Sequence, residues 1–315
     1  MSKILYPIVY GFCYMISLLP LRVLYCISDV LYLLLYKLIG YRRRVVRNNL
    51  STAFPEKDEK ERRTIEKKFY HFFCDYIIET IKLLSIRRKT LLKHMEYRNM
   101  EEMERCFDEG QSVCALLGHY CNWEFLTTVN VGWKRYPEAK VGLVYHPLSS
   151  KVVDRLIIAT RQHTGGVAVP KQEVLRYMIR YKQQGLHSLF GLISDQSPKW
   201  ENIHLWLPFL NHETPVFTGA ERLIRKMNNA VFYAEMSRPK RGKYVVNFQL
   251  MTREPGTLEE NELTRMFFTR LEETIRQTPY LYLWSHDRWK RTREEFERRF
   301  TVDAHGHVTK KDKSN

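Results

Sequence analysis

The chain has 315 residues, enough for one large domain or two small ones around a well-buried core. Its 51 Lys and Arg against 35 Asp and Glu leave a formal charge of +16, which draws it toward nucleic acid, an anionic membrane or an acidic carrier protein. Six scattered cysteines, without a CxxC spacing or a Cys/His clamp, argue against a zinc site or a disulfide framework and fit reduced thiols facing the cytoplasm; no metal or cofactor is expected.

Residues 4–21 read ILYPIVYGFCYMISLLPL, eighteen positions without a formal charge. As a helix rising ~1.5 Å per residue they reach roughly 27 Å, close to the ~30 Å hydrocarbon core of a bilayer. A second apolar stretch covers 23–36, broken only by Asp29, and the basic run YRRRVVR follows at 41–47. Arginines directly after an apolar span favour a cytoplasmic location for the chain beyond them. A cleavable signal fits less well, because only Lys3 precedes the span and no small-x-small site follows it. The alternative is a buried core helix, since Pro7, Gly11 and Pro20 spoil a regular span. Arg22 and Asp29 would each cost roughly 3 kcal/mol at the bilayer centre, so one crossing is expected rather than two.

Residues 56–85 start polar and become amphipathic, with Phe69, Phe72, Phe73, Tyr76, Ile77 and Ile81 at helical spacing; such a stripe reads as packing. Beyond residue 110 strands and helices alternate. Strands are predicted at 112–117, 140–145, 167–169 and 186–194, and helices from 123, over 150–163, 172–181 and 218–228. Strands at 230–236 and 243–251 flank the basic turn PKRG, and an amphipathic helix covers 258–277. The pattern implies an α/β fold with a central, mostly parallel sheet flanked by helices, after an amino-terminal membrane segment over 1–40. One domain is expected over 41–300, with a frayed polar tail over 301–315.

The residues that could do chemistry centre on GHYCNWE at 118–124. His119 sits where a buried strand ends, the usual place for a site in an α/β sheet. Residues five apart on one helix are turned roughly 140° from each other. His119 and Glu124 therefore face each other only if His119 lies in the turn and Glu124 in the first helical turn, with Gly118 giving backbone freedom and Asn122 as the cap. There the carboxylate would fix one imidazole tautomer, and His119 would serve as general base, letting an alcohol attack without a Ser or Cys nucleophile. A turn histidine beside an incidental glutamate is the plain alternative. Asp195 and Gln196, in DQSP, follow another strand end, though Asp195 reads equally as a turn cap. Gly219 closes TPVFTG at a helix start, where exposed N–H groups could bind an oxyanion or phosphate. Arg161 could grip a phosphate in bidentate fashion or make a helix-surface salt bridge. YLWSHDRWKR at 282–291 mixes aromatics with cations, which suits a lipid interface or core closure.

Taken together, the apolar amino terminus, YRRRVVRNNL with Phe54-Pro55 after it, the His119–Glu124 motif, DQSP, TPVFTG and YLWSHDRWK resemble the lipid A late acyltransferase family. That family sits within the wider HX4D/E group of lysophospholipid-type acyltransferases. The resemblance covers most of the chain. It implies an inner-membrane enzyme facing the cytoplasm, an acyl carrier protein thioester as donor and a lipid A precursor as acceptor. His119 and Glu124 would be the catalytic pair, with Asn122, Arg161, Asp195, Gln196 and Gly219 binding substrate. Three alternatives stay open: another lipid acceptor, such as a lysophospholipid, aminolipid or glycolipid; acyl-CoA as donor; or a non-catalytic basic membrane-binding protein. Nucleic acid is the least favoured partner, because the basic residues are dispersed.

Overall fold

A computed structural model describes residues 2–303 and 307–311. Helices α1 (Ser2–Leu18) and α2 (Leu21–Tyr32) open the chain, and α2 runs on as a π-helix over Leu33–Ile39. Helices α3 (Arg43–Ala53), α4 (Glu59–Lys82) and α5 (Arg88–Leu91) lead into β1 (Met95–Arg98) and α6 (Met100–Asp108). Then come β2 (Val113–Leu117), α7 (Trp123–Leu126), β3 (Lys140–Tyr145), α8 (Lys151–His163), β4 (Val167–Pro170), α9 (Val174–Gln183) and β5 (Ser188–Ile193). A hairpin of β6 (Leu205–Phe209) and β7 (His212–Val216) precedes α10 (Gly219–Met227), β8 (Ala230–Lys240), β9 (Lys243–Thr252) and α11 (Glu262–Gln277). The chain closes with α12 (Arg293–Arg299), β10 (Phe300–Val302) and β11 (Val308–Lys310).

Seven strands form the central sheet in the order β1-β9-β8-β2-β5-β3-β4, and every neighbouring pair is parallel except β8 with β9. The mostly parallel α/β sheet expected from the alternation is the one observed. Strand β2 is buried at every position, as its unbroken VCALL run requires of a strand covered on both faces. Three elements had no strong pattern: β1 is four residues long, and the antiparallel β6–β7 and β10–β11 ribbons are short. All of the β10–β11 pair except Phe300 lies inside the segment read as a frayed tail; residues 304–306 and 312–315 of that segment fall outside the described residues.

Helix α4 begins with a capping box, in which the Asp58 carboxylate accepts from the Glu61 N–H and the Glu61 carboxylate accepts from the Asp58 N–H. Of its aromatic stripe, Phe69 and Phe72 are buried and Phe73 and Tyr76 are half-buried against the core, as expected of packing. The same helix also buries three acids. Glu66 receives Arg43 and Arg47, so the basic run after the apolar segment is partly used internally. Asp75 receives Ser28, Arg238 and Arg241. Glu79 accepts from Tyr25, Asn122 and Tyr244.

At the amino terminus no single helix among the described residues is long and apolar enough to cross a membrane. The apolar segment is broken near Pro20 into two helices bent by 120°. Asp29, the charge that weighed against a second crossing, pairs at 2.7 Å with Arg241 from the turn between β8 and β9. Helix α1 lies against α4 and α8, and α2 lies against α4. Ile8, Phe12, Met15, Leu18, Leu38 and Ile39 remain exposed.

Candidate active site

Strands β2 and β5 are parallel neighbours, in register from Val113–Leu189 to Leu117–Ile193. The Ser194 N–H continues the ladder by donating to the Leu117 carbonyl at 3.2 Å. Two residues past the last paired positions, the two chains present His119 and Asp195 side by side. The His119 Nδ1 lies 2.6 Å from Asp195 Oδ1, and the His119 backbone N–H donates to Oδ2 at 2.9 Å. One carboxylate thus fixes both the ring and the main chain of the histidine. With Nδ1 as donor, Nε2 is left as the acceptor nitrogen, and the Gln196 side-chain amide meets it at 3.0 Å.

The other side of the turn is held by the carboxy-terminal segment. The Cys121 N–H donates to Leu281 at 2.8 Å, the Leu283 N–H donates to the His119 carbonyl at 3.0 Å, and Tyr120 bridges Tyr282 in antiparallel sense. Trp123 meets the imidazole edge-on, with 5.1 Å between ring centroids. Asp195 is fully enclosed, whereas the His119 side chain keeps 16% of its surface open. Burial alone would push the Asp195 carboxyl up. The adjoining imidazole and its two hydrogen bonds outweigh that and hold it below the usual aspartate value.

Gly118 is needed for a reason other than backbone freedom: a Cβ there would lie 2.7 Å from a methyl of buried Leu271. The left-handed residue of the turn is Cys121, with φ 56°. Asn122 does cap α7, its side-chain oxygen accepting from the Phe125 N–H at 3.1 Å. Its amide nitrogen donates to Glu79 at 2.6 Å, so both ends of this buried side chain are taken within the protein.

The expectation that Glu124 orients His119 is corrected by this geometry, because Asp195 occupies the Nδ1 side of the ring. Glu124 lies in the single turn of α7 and gives both carboxylate oxygens to Arg161 of α8, at 3.0 and 2.7 Å. The two side chains are 3% and 9% exposed, so the pair is a buried one and not the surface bridge considered for Arg161. Burial would lower the Arg161 guanidinium, but Glu124 more than offsets it. Beside the pair, a small apolar cavity of about 40 Å³ is walled by Leu117, Trp123, Leu143, Gly191 and Ile193, with Arg161 at its edge. Gly219 opens α10, and no hydrogen bond among the described residues joins it to His119, Asp195 or Gln196. Thr218 beside it lines a separate groove with Trp206 and Arg222.

Two contributors escaped the sequence reading. Glu79 was submerged in an aromatic helix, and the segment around 281–283 was read for its side chains when its main chain is what braces the turn. The alternation of aromatic residues with leucines at 280–284 was the available signal for such an extended edge.

The family profile described as bacterial lipid A biosynthesis acyltransferase matches residues 2–291. Among curated proteins, the lipid A biosynthesis lauroyltransferase of Escherichia coli (strain K12) is 22% identical over 290 residues, which cover 90% of each chain.

The Glu124–Arg161 pair yields a stability prediction. Removing either partner alone strands a buried charge, so Glu124→Ala and Arg161→Ala should each lose roughly 3–5 kcal/mol in chemical denaturation. A double replacement by Leu and Met should recover most of that loss. Single variants as stable as the parent would contradict the assigned pairing.

Proposed function

The chain belongs to the bacterial lipid A biosynthesis acyltransferase family and is thus an acyltransferase, and we propose that it moves a fatty acyl group from acyl carrier protein to a hydroxyl of a lipid A precursor. The observation that carries the mechanism is a histidine, 16% exposed, whose Nδ1 is held by a buried carboxylate while its Nε2 meets the side-chain amide of Gln196. The acceptor hydroxyl takes the place of the Gln196 amide at Nε2. As its oxygen attacks the thioester carbonyl, the proton passes to Nε2. Asp195 stabilises the imidazolium that forms, and the departing thiolate takes the proton when the tetrahedral intermediate collapses. Asp195 is the positioning group for the base; the Glu124–Arg161 pair fixes the start of α7 and supplies a charged wall next to it. General-base assistance of this kind contributes ~10²- to 10⁴-fold.

The amino-terminal surface supports a membrane location. The bent α1–α2 pair carries exposed Ile8, Phe12, Met15 and Leu18 on α1 and Leu38 and Ile39 beyond α2. Such a surface suits a helix pair seated in one leaflet of the inner membrane, with the sheet domain on the cytoplasmic side. The +16 charge favours both a phosphorylated glycolipid and an acidic carrier protein. The apolar cavity beside Arg161 is the natural entry for an acyl chain, which would have to part its walls to fit.

The test is transfer from labelled acyl carrier protein to tetra- or penta-acylated lipid A by the purified protein. Wild-type turnover should fall at least ~100-fold in His119→Ala. Undiminished transfer by that variant would overturn the role of His119. Transfer to a lysophospholipid or aminolipid alone would keep the reaction and replace the acceptor, and use of acyl-CoA alone would replace the donor.

A further inference from the structure

We propose that Trp200 is a positioning residue of the active site: gripped by the closing segment 291–300, it anchors the loop that keeps the Gln196 amide on His119 Nε2. The inference rests on Nε2 being the nitrogen that takes the proton of the acceptor hydroxyl.

Residues 195–200 read DQSPKW, and the first two meet the histidine. The Asp195 carboxylate holds Nδ1 at 2.6 Å and also takes the His119 backbone N–H. The Gln196 amide meets Nε2 at 3.0 Å, and among the described residues its side chain makes no other hydrogen bond. One hydrogen bond is a weak restraint on a long, half-buried side chain with several rotatable bonds. The loop that carries it must therefore be fixed from elsewhere.

The fixing contacts lie further along the same loop. The Ser197 hydroxyl accepts from Arg291 Nη1 at 3.3 Å. Trp200, in the 3₁₀ turn Trp200–Asn202, meets two guanidiniums, Arg291 at 5.5 Å and Arg299 at 5.3 Å from its ring. Phe296 and Phe300 stack on the indole with centroids 6.4 and 5.7 Å away. With Ile203, these two phenylalanines form a small core apart from the main one, and Trp200 packs against it. Stacked rings and cations over one indole make a firm anchor. The anchor is itself held: Thr292 caps α12, β10 pairs with β11, and the Lys311 N–H donates to the Arg299 carbonyl at 2.8 Å.

Closure of a small core is the plain role for these aromatics, but two features go beyond it. The indole stands four positions from Gln196, and Arg291 touches both Trp200 and Ser197. The loop is thus gripped at Asp195 and again at Trp200, with Gln196 between the two grips. In the resting protein the amide covers Nε2. When the acceptor hydroxyl displaces it, the loop cannot swing away, and the amide stays beside the reacting oxygen as a donor. The family profile ends at residue 291, so Phe296, Arg299 and Phe300 all lie beyond the matched stretch.

The test is the rate at which diethyl pyrocarbonate modifies His119, followed by peptide mass mapping, which reports access to Nε2 and needs no turnover. Trp200→Ala should raise that rate about fivefold, the weight of one hydrogen bond, and Gln196→Ala should raise it as much. The double variant should be no faster than either, because both changes release the same amide. Trp200→Phe, which keeps a stacking ring, should return the rate most of the way to wild type. Losses in kcat/KM for acyl transfer should likewise fail to add between Trp200→Ala and Gln196→Ala.

An unchanged rate in Trp200→Ala, or increases that multiply in the double variant, would overturn the proposal and leave Trp200 as core closure. Should Trp200→Ala fail to fold, Ser197→Ala removes only the hydroxyl that Arg291 holds. A smaller rise is expected there, and an unmoved rate would overturn the proposal equally. Faster modification in a protein that transfers acyl groups to no acceptor would sink the acyl-transfer reading alone. Normal transfer with unchanged modification would sink this inference alone.

Discussion

Everything proposed for this chain depends on the parallel register of β2 against β5. Because Leu117 pairs with Ile193, the residues two steps on arrive together, and a histidine meets an aspartate without either belonging to a recognisable local motif. A slip of one residue would turn every side chain of β2 to the other face of the sheet. The register is protected by burial at all five β2 positions and by β8 pairing along its other edge. The carboxylate then grips the histidine twice, through its ring and its main-chain N–H. Orientation of the base is thus built into the sheet and costs nothing further when substrate arrives.

Around that centre the protein places charge inside its core in an ordered way. Helix α4 carries Glu66, Asp75 and Glu79, each buried and each met by donors from other elements. Asp75 ties α2 to the β8–β9 turn through Ser28, Arg238 and Arg241, and Arg241 also reaches Asp29. Glu79 ties Tyr25 of α2 to Asn122, the cap of the helix turn after His119. The apolar amino terminus is therefore wired into the catalytic layer. Its polar side is satisfied by the domain, which is why a segment with Asp29 in its middle can still present an apolar surface outward.

The sequence made most of this architecture legible. Strands such as KVGLVY and the helix at 150–163 lie within two residues of where patterning put them, since long periodic or unbroken apolar runs leave little choice. His119 and Asp195 were both visible as strand-end polar residues. Their pairing was not, because β3 and β4 intervene in the chain between two strands that are neighbours in the sheet. Proximity in sequence favoured Glu124 instead, and the helix turn that starts at Trp123 carries that side chain to Arg161.

The most direct test of the central claim is a double-mutant cycle on kcat/KM for His119→Ala, Asp195→Asn and the two combined. If Asp195 works by holding the base, it has nothing to do once the base is gone, and the double variant should be no slower than His119→Ala alone. If the two losses instead multiply, Asp195 acts independently of His119, and the account of a carboxylate-held general base is wrong.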